Sequence, residues 1–461
     1  MKLPSIILIN CDDLGYGDLG CYGSKVNSTP ALDRIASEGV RFTDFYMASS
    51  ICSPSRAGML TGCYPQRISL THVLFPCNAD GLNPEEVTIA QILKDQGYNT
   101  KIVGKWHCGD QPEFLPLNFG FDSYYGLPYS NDMGRQTGDK DDRPPLPLIR
   151  DNEVIEEQPD QSGLTERYVE ESVRFIRDSV KEEKPFFLYF AHMYVHVPLF
   201  VPDYFVAKSR NGRYGGAVAC IDWAWGVLDR ELEKLGIKED TIIIFTSDNG
   251  SRAKDDGNNH GCGSNEPLRG SKFTTWEGGF RLPCLMRWPG KIAAGSEISE
   301  IASSIDFLPT LTSIAGGNLP EKTIDGKDLS LLILGKTAES PRTEFAYFAD
   351  RNLAAVRWGK WKLHLCRRPE EWSKPYNPVQ ELYDLENDIG EENNVFNDHP
   401  KVVASFNALI CEFRSKLGDK FTGNEGFEVR DCGWVDDPRP LTVYNEEHPY
   451  IIAEYDLAER G

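Results

Sequence analysis

Four short polar clusters in this chain carry side chains that could hold an ion and move protons. Asp12-Asp13 and Asp248-Asn249 offer only oxygen ligands, the donor set of a hard cation such as calcium or magnesium rather than of zinc. Lys105 and His107 pair a fixed positive charge with a group that exchanges protons near neutrality, and His196 supplies a second such group. A fifth position is a cysteine. In Cys52-Ser53-Pro54-Ser55-Arg56 the proline suits the first residue of a helix. Cys52 then stands at the helix N-terminus, where the dipole and free N–H groups favour negative charge. Arg56, one turn on, can point back at it. Each feature has a plain alternative. A strand-end aspartate is usually a cap, Asp248-Asn249-Gly250 alone reads equally as a turn, and a cysteine before a helix is usually inert. The chemistry rests on their convergence.

The elements that must position these residues alternate between strand and helix. Residues 6–10 form an apolar strand running into Asp12-Asp13. Thr29-Pro30 caps a helix with the apolar face Ala31, Leu32, Ile35 and Ala36, stopped by Gly39. Residues 40–46 return as a strand. Thr88 caps a helix carrying Ile89, Ile92 and Leu93, and residues 100–103 form the strand before Lys105 and His107. Helix 166–180 precedes the apolar strand 186–190, which leads to His196. Helix 221–235 precedes strand 241–245, which leads to Asp248. This rhythm predicts an α/β fold: a large, mostly parallel or mixed sheet sandwiched by helices. In such sheets the ligand crevice lies outside the carboxyl ends of the strands, where all four clusters fall. From about residue 344 short, closely spaced strands with tight turns such as Trp358-Gly359-Lys360 predict a smaller C-terminal α+β domain on an antiparallel sheet, with one helix at 402–417. The expected division is 1–340 and 341–461. The Asp- and Pro-rich stretch 139–147 reads as a surface loop.

The chain has 461 residues, enough for a large core, with 40% apolar and 11% aromatic residues. Its net charge of −21 argues against nucleic acid and against anionic membrane as partners. An anionic substrate must be drawn by a local cation cluster, since the overall field opposes it. The twelve cysteines show no CxxC pair and no zinc-type spacing; most read as small buried hydrophobes in a reducing compartment. The run Ile6-Ile7-Leu8-Ile9 is too short for a signal peptide and no stretch reaches transmembrane length. The expected localisation is cytoplasmic, or secreted or periplasmic if a leader has been trimmed.

The string Cys52-Ser53-Pro54-Ser55-Arg56, followed by Ala57-Gly58-Met59-Leu60-Thr61-Gly62, resembles the signature of the formylglycine-dependent sulfatases, members of the alkaline phosphatase superfamily. The resemblance extends to Asn10-Cys11-Asp12-Asp13, Gly104-Lys105-Trp106-His107, His196-Val197-Pro198, Thr246-Ser247-Asp248-Asn249-Gly250, and Leu268-Arg269-Gly270-Ser271-Lys272 with Trp276-Glu277-Gly278-Gly279. Glu381-Leu382-Tyr383-Asp384-Leu385 extends it towards the C-terminus. Gly126-Leu127-Pro128-Tyr129-Ser130-Asn131-Asp132 most resembles arylsulfatase A and N-acetylgalactosamine-6-sulfatase, although Asn131 replaces the histidine usual in the former. Asn249, where a two-zinc phosphatase of related architecture would have histidine, favours one hard metal.

The resemblance implies that a maturation enzyme oxidises Cys52 to formylglycine. The hydrated aldehyde then attacks sulfur to give a covalent sulfo-enzyme, and its second hydroxyl expels sulfate. It implies calcium, with magnesium as the alternative, held by Asp12, Asp13, Asp248, Asn249 and the modified Cys52. Arg56 and Lys105 would stabilise the diol, and His107 would take its proton. Lys272, Ser130 and His196 would bind the sulfate, with Lys272 and His196 protonating the leaving alcohol. Polar loops, including residues 255–265 with Asn258, His260 and Asn265 at the mouth, favour a sulfated carbohydrate over a simple aryl sulfate. Two rivals remain: a formylglycine-dependent phosphonate monoester hydrolase or phosphodiesterase, and an inactive binder of sulfated glycans.

Overall fold

A computed structural model describes residues 2–135, 143–252, 261–368, 376–445 and 447. Among these residues ten strands form one mixed sheet. Its centre is parallel: Thr241–Ser247, Ser5–Cys11, Phe186–Ala191, Asn99–Gly104 and Ser123–Gly126 lie side by side in that order. Cys284–Arg287 and Pro147–Arg150 flank this centre in antiparallel pairing. Ser5–Cys11 shows why the sheet must be covered twice. Ile6 and Leu8 pack into the core on one face, with the helices Cys52–Thr61, Ile89–Asp95 and Phe307–Ala315. Ile7 and Ile9 pack into the other, with Pro30–Glu38, Leu164–Lys181 and Gly212–Lys234. None of the described helices is long and apolar enough to cross a membrane.

A second sheet is an antiparallel meander of Glu344–Ala349, Asn352–Trp358, Trp361–Arg367 and Asn377–Asp384. Phe345, Tyr347 and Leu353 from this sheet share a core with Tyr46, Tyr64 and Phe280 of the large unit. After the helix Asn407–Leu417 the chain returns to the large unit, where Gly433–Trp434 pairs with Asp80–Gly81.

Several sequence expectations need correction. Residues 40–46 form two strands, Val40–Phe42 and Phe45–Tyr46. The break lies at Thr43-Asp44, where the Asp44 carboxylate reaches Arg281 and Arg357 at 2.7 Å each. The helix expected at 221 starts at Gly212. Gly215 and Gly216 hid its first turns, and packing requires them: a Cβ on Gly215 would overlap Ser209, and one on Gly216 would crowd Val206 of the short helix Asp203–Val206. The helix expected at 402–417 is broken into Pro400–Ser405 and Asn407–Leu417 at the fully buried Phe406. Within 139–147, residues 139–142 lie outside the described residues, and Pro147 opens an unpredicted hairpin with Glu153–Glu157. None of the cysteines forms a disulfide among the described residues. Seven of them are buried, while Cys262 and Cys411 are exposed.

The junction of the two sheets centres on Glu277, which is fully buried. Its carboxylate accepts from Tyr46 at 2.6 Å, Tyr347 at 2.7 Å and Lys362 at 2.9 Å. Lys362 also pairs with Glu391 at 2.9 Å, and Glu391 with His364 at 2.8 Å. Burial alone would push the Glu277 carboxyl up, but Lys362, then Arg281 and Arg357, hold it well below the usual glutamate range. Glu277→Ala should destabilise the protein by about 3–5 kcal/mol in denaturant melts, because it strands buried cations. The stabilisation from ionised Glu277 is complete above the ordinary glutamate value of about 4.3 and is lost as pH falls towards its lowered folded value. Glu277→Gln should therefore flatten the acid limb of the stability–pH curve. An unchanged acid limb would show that the cluster does not hold the sheets together.

Candidate active site

The carboxyl ends of the parallel strands converge on one buried group of charges. Asp12 and Asp13 follow Ser5–Cys11, Lys105 and His107 follow Asn99–Gly104, His196 lies beyond Phe186–Ala191, and Asp248 and Asn249 follow Thr241–Ser247. All seven side chains are buried, as are Cys52, Arg56, Ser130 and Lys272. The backbone is held as firmly. Asp12 exchanges backbone hydrogen bonds with the 194–195 segment, and Asp13 N–H donates to the Asp248 carboxylate at 3.2 Å. Asp13, His107 and Phe273 adopt left-handed backbone conformations (φ 62°, 62° and 73°), costly for side-chain-bearing residues and common at functional sites.

Cys52 is the first residue of the helix Cys52–Thr61, so the helix begins two residues before the expected proline start. Pro54 is tolerated because first-turn N–H groups have no partner within the helix. Burial pushes the Cys52 thiol up, despite the opposing pull of Lys105 and Lys272. A buried, protonated thiol is a poor thiolate nucleophile.

Three cations meet three carboxylates. Lys105 Nζ lies 2.5 Å from Asp12, Arg56 Nε 2.8 Å from Asp248, and Lys272 Nζ 2.7 Å from Asp13. Arg56 also donates to the Lys105 carbonyl at 2.7 Å, so its guanidinium braces the cluster. Burial alone would raise the Asp12 carboxyl, but Lys105, His196, Arg56 and Lys272 hold it far below its usual range. Asp248 moves the other way: burial and the Asp12 charge push it up. Burial pulls Lys272 down, but Asp13, Cys52 and Asp12 together outweigh it and raise the ammonium.

Both histidines are buried and their pKa values are lowered, His107 by burial and Lys105, His196 by burial and Lys272. The Leu74 carbonyl lies 2.9 Å from His107 Nε2. A carbonyl can only accept, so Nε2 carries the proton and Nδ1, buried and without a partner, is the free base. His196 Nδ1 donates to the Val197 carbonyl at 2.6 Å, leaving Nε2 facing Asp13 at 3.8 Å. Ser130 Oγ lies within 3.4–3.5 Å of the same ring.

The donor set fits a hard cation. Asp12 Oδ1, Asp13 Oδ2 and Asn249 Oδ1 are buried oxygens with no hydrogen-bond partner among the described residues, an expensive state unless an ion meets them. Asn249 Nδ2 donates to Asp13 at 2.7 Å, which turns its oxygen away from that carboxylate. Asp12, Asp13 and His196 come close enough to share one ion. The carboxylate and amide oxygens are donors of the kind a hard cation takes, while the His196 nitrogen is not one it prefers.

The structure thus gathers all eleven residues that the sequence singled out. Of the mouth residues, Asn258 and His260 lie outside the described residues. Asn265 is corrected: its amide is spent on Ser251 and on the Gly270 carbonyl, bracing the lysine loop instead of facing a leaving group. Asn131 holds Gln161 and the Pro198 carbonyl, and so steadies the segment that carries His196. Sequence reasoning missed Leu74, whose carbonyl sets the His107 tautomer; a backbone contact leaves no signature in residue type. It also missed Glu277 as the anchor behind Lys272.

Comparison with known proteins agrees with this geometry. The family described as Sulfatase matches residues 4–317, and the C-terminal family of N-sulphoglucosamine sulphohydrolase matches residues 271–416. Human arylsulfatase A is 40% identical over 428 residues, covering 85% of this chain and 83% of that protein. Dog N-acetylgalactosamine-6-sulfatase is 40% identical over 389 residues, covering 80% and 73%. Among solved structures, Ps i-CgsB in complex with k-i-k-neocarrahexaose superposes with a TM-score of 0.78 at 30% identity, covering 89% of this chain and 93% of that one. With its charge cluster at the strand ends and these likenesses along most of its length, the chain belongs to the sulfatase family and is a sulfuric ester hydrolase.

Proposed function

We propose that this enzyme removes sulfate from a sulfated carbohydrate, using a formylglycine made from Cys52 by a maturation enzyme and a calcium ion held by Asp12, Asp13, Asp248 and Asn249. The observation that carries the reading is the set of unpartnered oxygens of Asp12, Asp13 and Asn249, gathered with the buried Cys52 and its cations. When bound, the cation would supply positive charge that eases deprotonation of a nearby hydroxyl. The side chains alone are balanced, three carboxylates against three cations. A divalent ion would leave two positive charges, suited to a singly charged sulfate ester. The carbohydrate half of the proposal is supported by likeness to an N-acetylgalactosamine-6-sulfatase and to a protein solved with neocarrahexaose.

The positions of the chain's own side chains support the following roles. Hydrated formylglycine at position 52 presents two hydroxyls: one attacks sulfur as the ester S–O bond breaks, and deprotonation of the other expels sulfate and restores the aldehyde. The net reaction consumes one water and releases alcohol, sulfate and a proton. His107 Nδ1 is the free base for that second hydroxyl. Lys105 and Arg56 hold the negative charge of the diol, and Lys272 and Ser130 hold sulfate oxygens. His196 Nε2 faces the same space from above Asp13, and an anion beside it would raise its proton affinity so that it can protonate the leaving alcohol. Cys52 is only 2% exposed, so its conversion must precede folding.

Three outcomes are expected. The Cys52 peptide, from protein made in a host with the maturation enzyme, should weigh about 18 Da less than the cysteine form and react with a hydrazide probe; a plain alkylatable thiol with full sulfatase turnover would remove formylglycine from the mechanism. After chelation, added calcium should raise the melting temperature, since an ion that binds only the native state stabilises it. Asn249→Ala should weaken that shift at a given calcium concentration, and an identical titration in both proteins would displace the ion from these ligands. His196→Ala should lower kcat by about 10²–10⁴-fold on an alkyl sulfate and far less on para-nitrophenyl sulfate, whose leaving group needs no proton. Equal losses on both would deny His196 the acid role.

A further inference from the structure

We propose that Phe75 and Trp434 form an aromatic platform on the rim of this active site and that it binds a hydroxylated sugar ring neighbouring the sulfated one. The inference deepens the carbohydrate reading above and rests on it. Residue 74 is tied into the site from both sides: its carbonyl accepts from His107 at 2.9 Å and its N–H donates to Ser53 Oγ at 3.1 Å. Phe75 is the next residue outward, one 3.8 Å step along the chain. It opens a turn closed by Asn78 N–H on its carbonyl, and its side chain is 58% exposed.

The far end of the same loop is Asp80–Gly81, paired antiparallel with Gly433–Trp434. Trp434 stands directly opposite Asp80, so both side chains leave one face of the ribbon. The Asp80 carboxylate meets His72 at 3.0 Å, and Trp434 is 67% exposed. One loop of nine residues, 72–80, thus joins Trp434 and Phe75 to the carbonyl that orients His107.

The ribbon is held in place although its tryptophan is bare. Gly81 and Gly433 seat it on the Phe114 ring, where a Cβ on either would overlap. The Phe114 carbonyl in turn accepts from Trp106, between Lys105 and His107, at 2.8 Å. Further along, Val435 N–H bonds Ala79, and Arg439 exchanges hydrogen bonds with the Gln111 amide at 2.8 and 3.0 Å. Single exposed aromatics are ordinary. Here one stands beside the carbonyl that orients His107 and the other on the ribbon that closes the same loop, and with His72 and Asp80 nearby they supply the apolar wall with polar groups that ligand sites use. Sugar rings present flat C–H faces to aromatic rings and hydroxyls to groups such as His72 and Asp80. The Asp80 carboxylate on this face disfavours a second sulfate here, which is why the ring proposed is hydroxylated rather than anionic.

The test compares substrates of different length with the matured, calcium-loaded enzyme. Sized sulfated hexasaccharides from chondroitin sulfate and from carrageenan are set against para-nitrophenyl sulfate. Trp434→Ala and Phe75→Ser should each raise KM on the cleaved hexasaccharide about tenfold while kcat holds, and affect para-nitrophenyl sulfate much less. Trp434→Phe should recover most of the loss, which a folding defect would not. Equal effects on both substrates, or none on the hexasaccharide, overturn the platform alone. Cleavage of para-nitrophenyl sulfate with no oligosaccharide accepted overturns the carbohydrate reading and the platform together.

Discussion

The structure depends on burying six charged side chains at one end of a parallel sheet. Asp12, Asp13 and Asp248 sit beside Arg56, Lys105 and Lys272 with almost no access to water. Any one of them alone would cost several kcal/mol to desolvate. Together each acid has a cation within 2.8 Å, and charges at such range interact by several kcal/mol even in a well-screened interior. The cluster is thus a condition of folding as well as of chemistry. Because every pairing joins a strand end to a segment far from it in sequence, the fold and the charge order must agree. The unpartnered oxygens are the part of this arrangement that folding does not account for and a bound ion would.

The smaller sheet takes its meaning from the same constraint. Lys272 lies in a loop with no regular structure of its own, yet its ammonium must meet Asp13 at 2.7 Å. Four residues past Phe273 the chain reaches Glu277, fixed by Tyr46, Tyr347 and Lys362, and Lys362 also donates to the Thr275 carbonyl at 2.9 Å. Asn265 braces the other side through Ser251 and Gly270. The meander therefore works as a clamp behind the lysine loop, one reason a catalytic sheet would keep a second sheet bound through buried charges instead of apolar contact alone.

The central strands and the positions of the site residues were legible because they obey simple periodic and strand-end rules. The apolar run at Ile6 to Ile9 could hardly be anything but a buried strand, and the polar residue after each such run had to lie at its carboxyl end. What escaped was fixed by tertiary contact. Gly215-Gly216 looked like a break and is instead a close helix packing. The break at Thr43-Asp44 exists for an ion pair with residues more than two hundred positions away. Asn265 looked like a mouth residue on polarity alone, while its amide is used internally. The Leu74 carbonyl has no signature in sequence, since every residue carries one.

The net charge of −21 sets a last constraint on how an anionic ester is captured. At physiological ionic strength the Debye length is about 8 Å, so most of the surface charge is screened from a substrate already in the pocket. It still acts on approach, where an acidic surface slows the encounter with an anion. The attractive cations are all buried and, without the metal, fully balanced by carboxylates. Affinity must then come from contacts made after arrival, and the sulfate group alone can supply few of them. With the platform proposed above, a substrate with a further apolar or hydroxyl-bearing face would gain at the rim what the long-range field withholds, whereas a small sulfate ester would not. On that proposal the acidity of the chain and the exposed Phe75 and Trp434 would be two sides of one specificity.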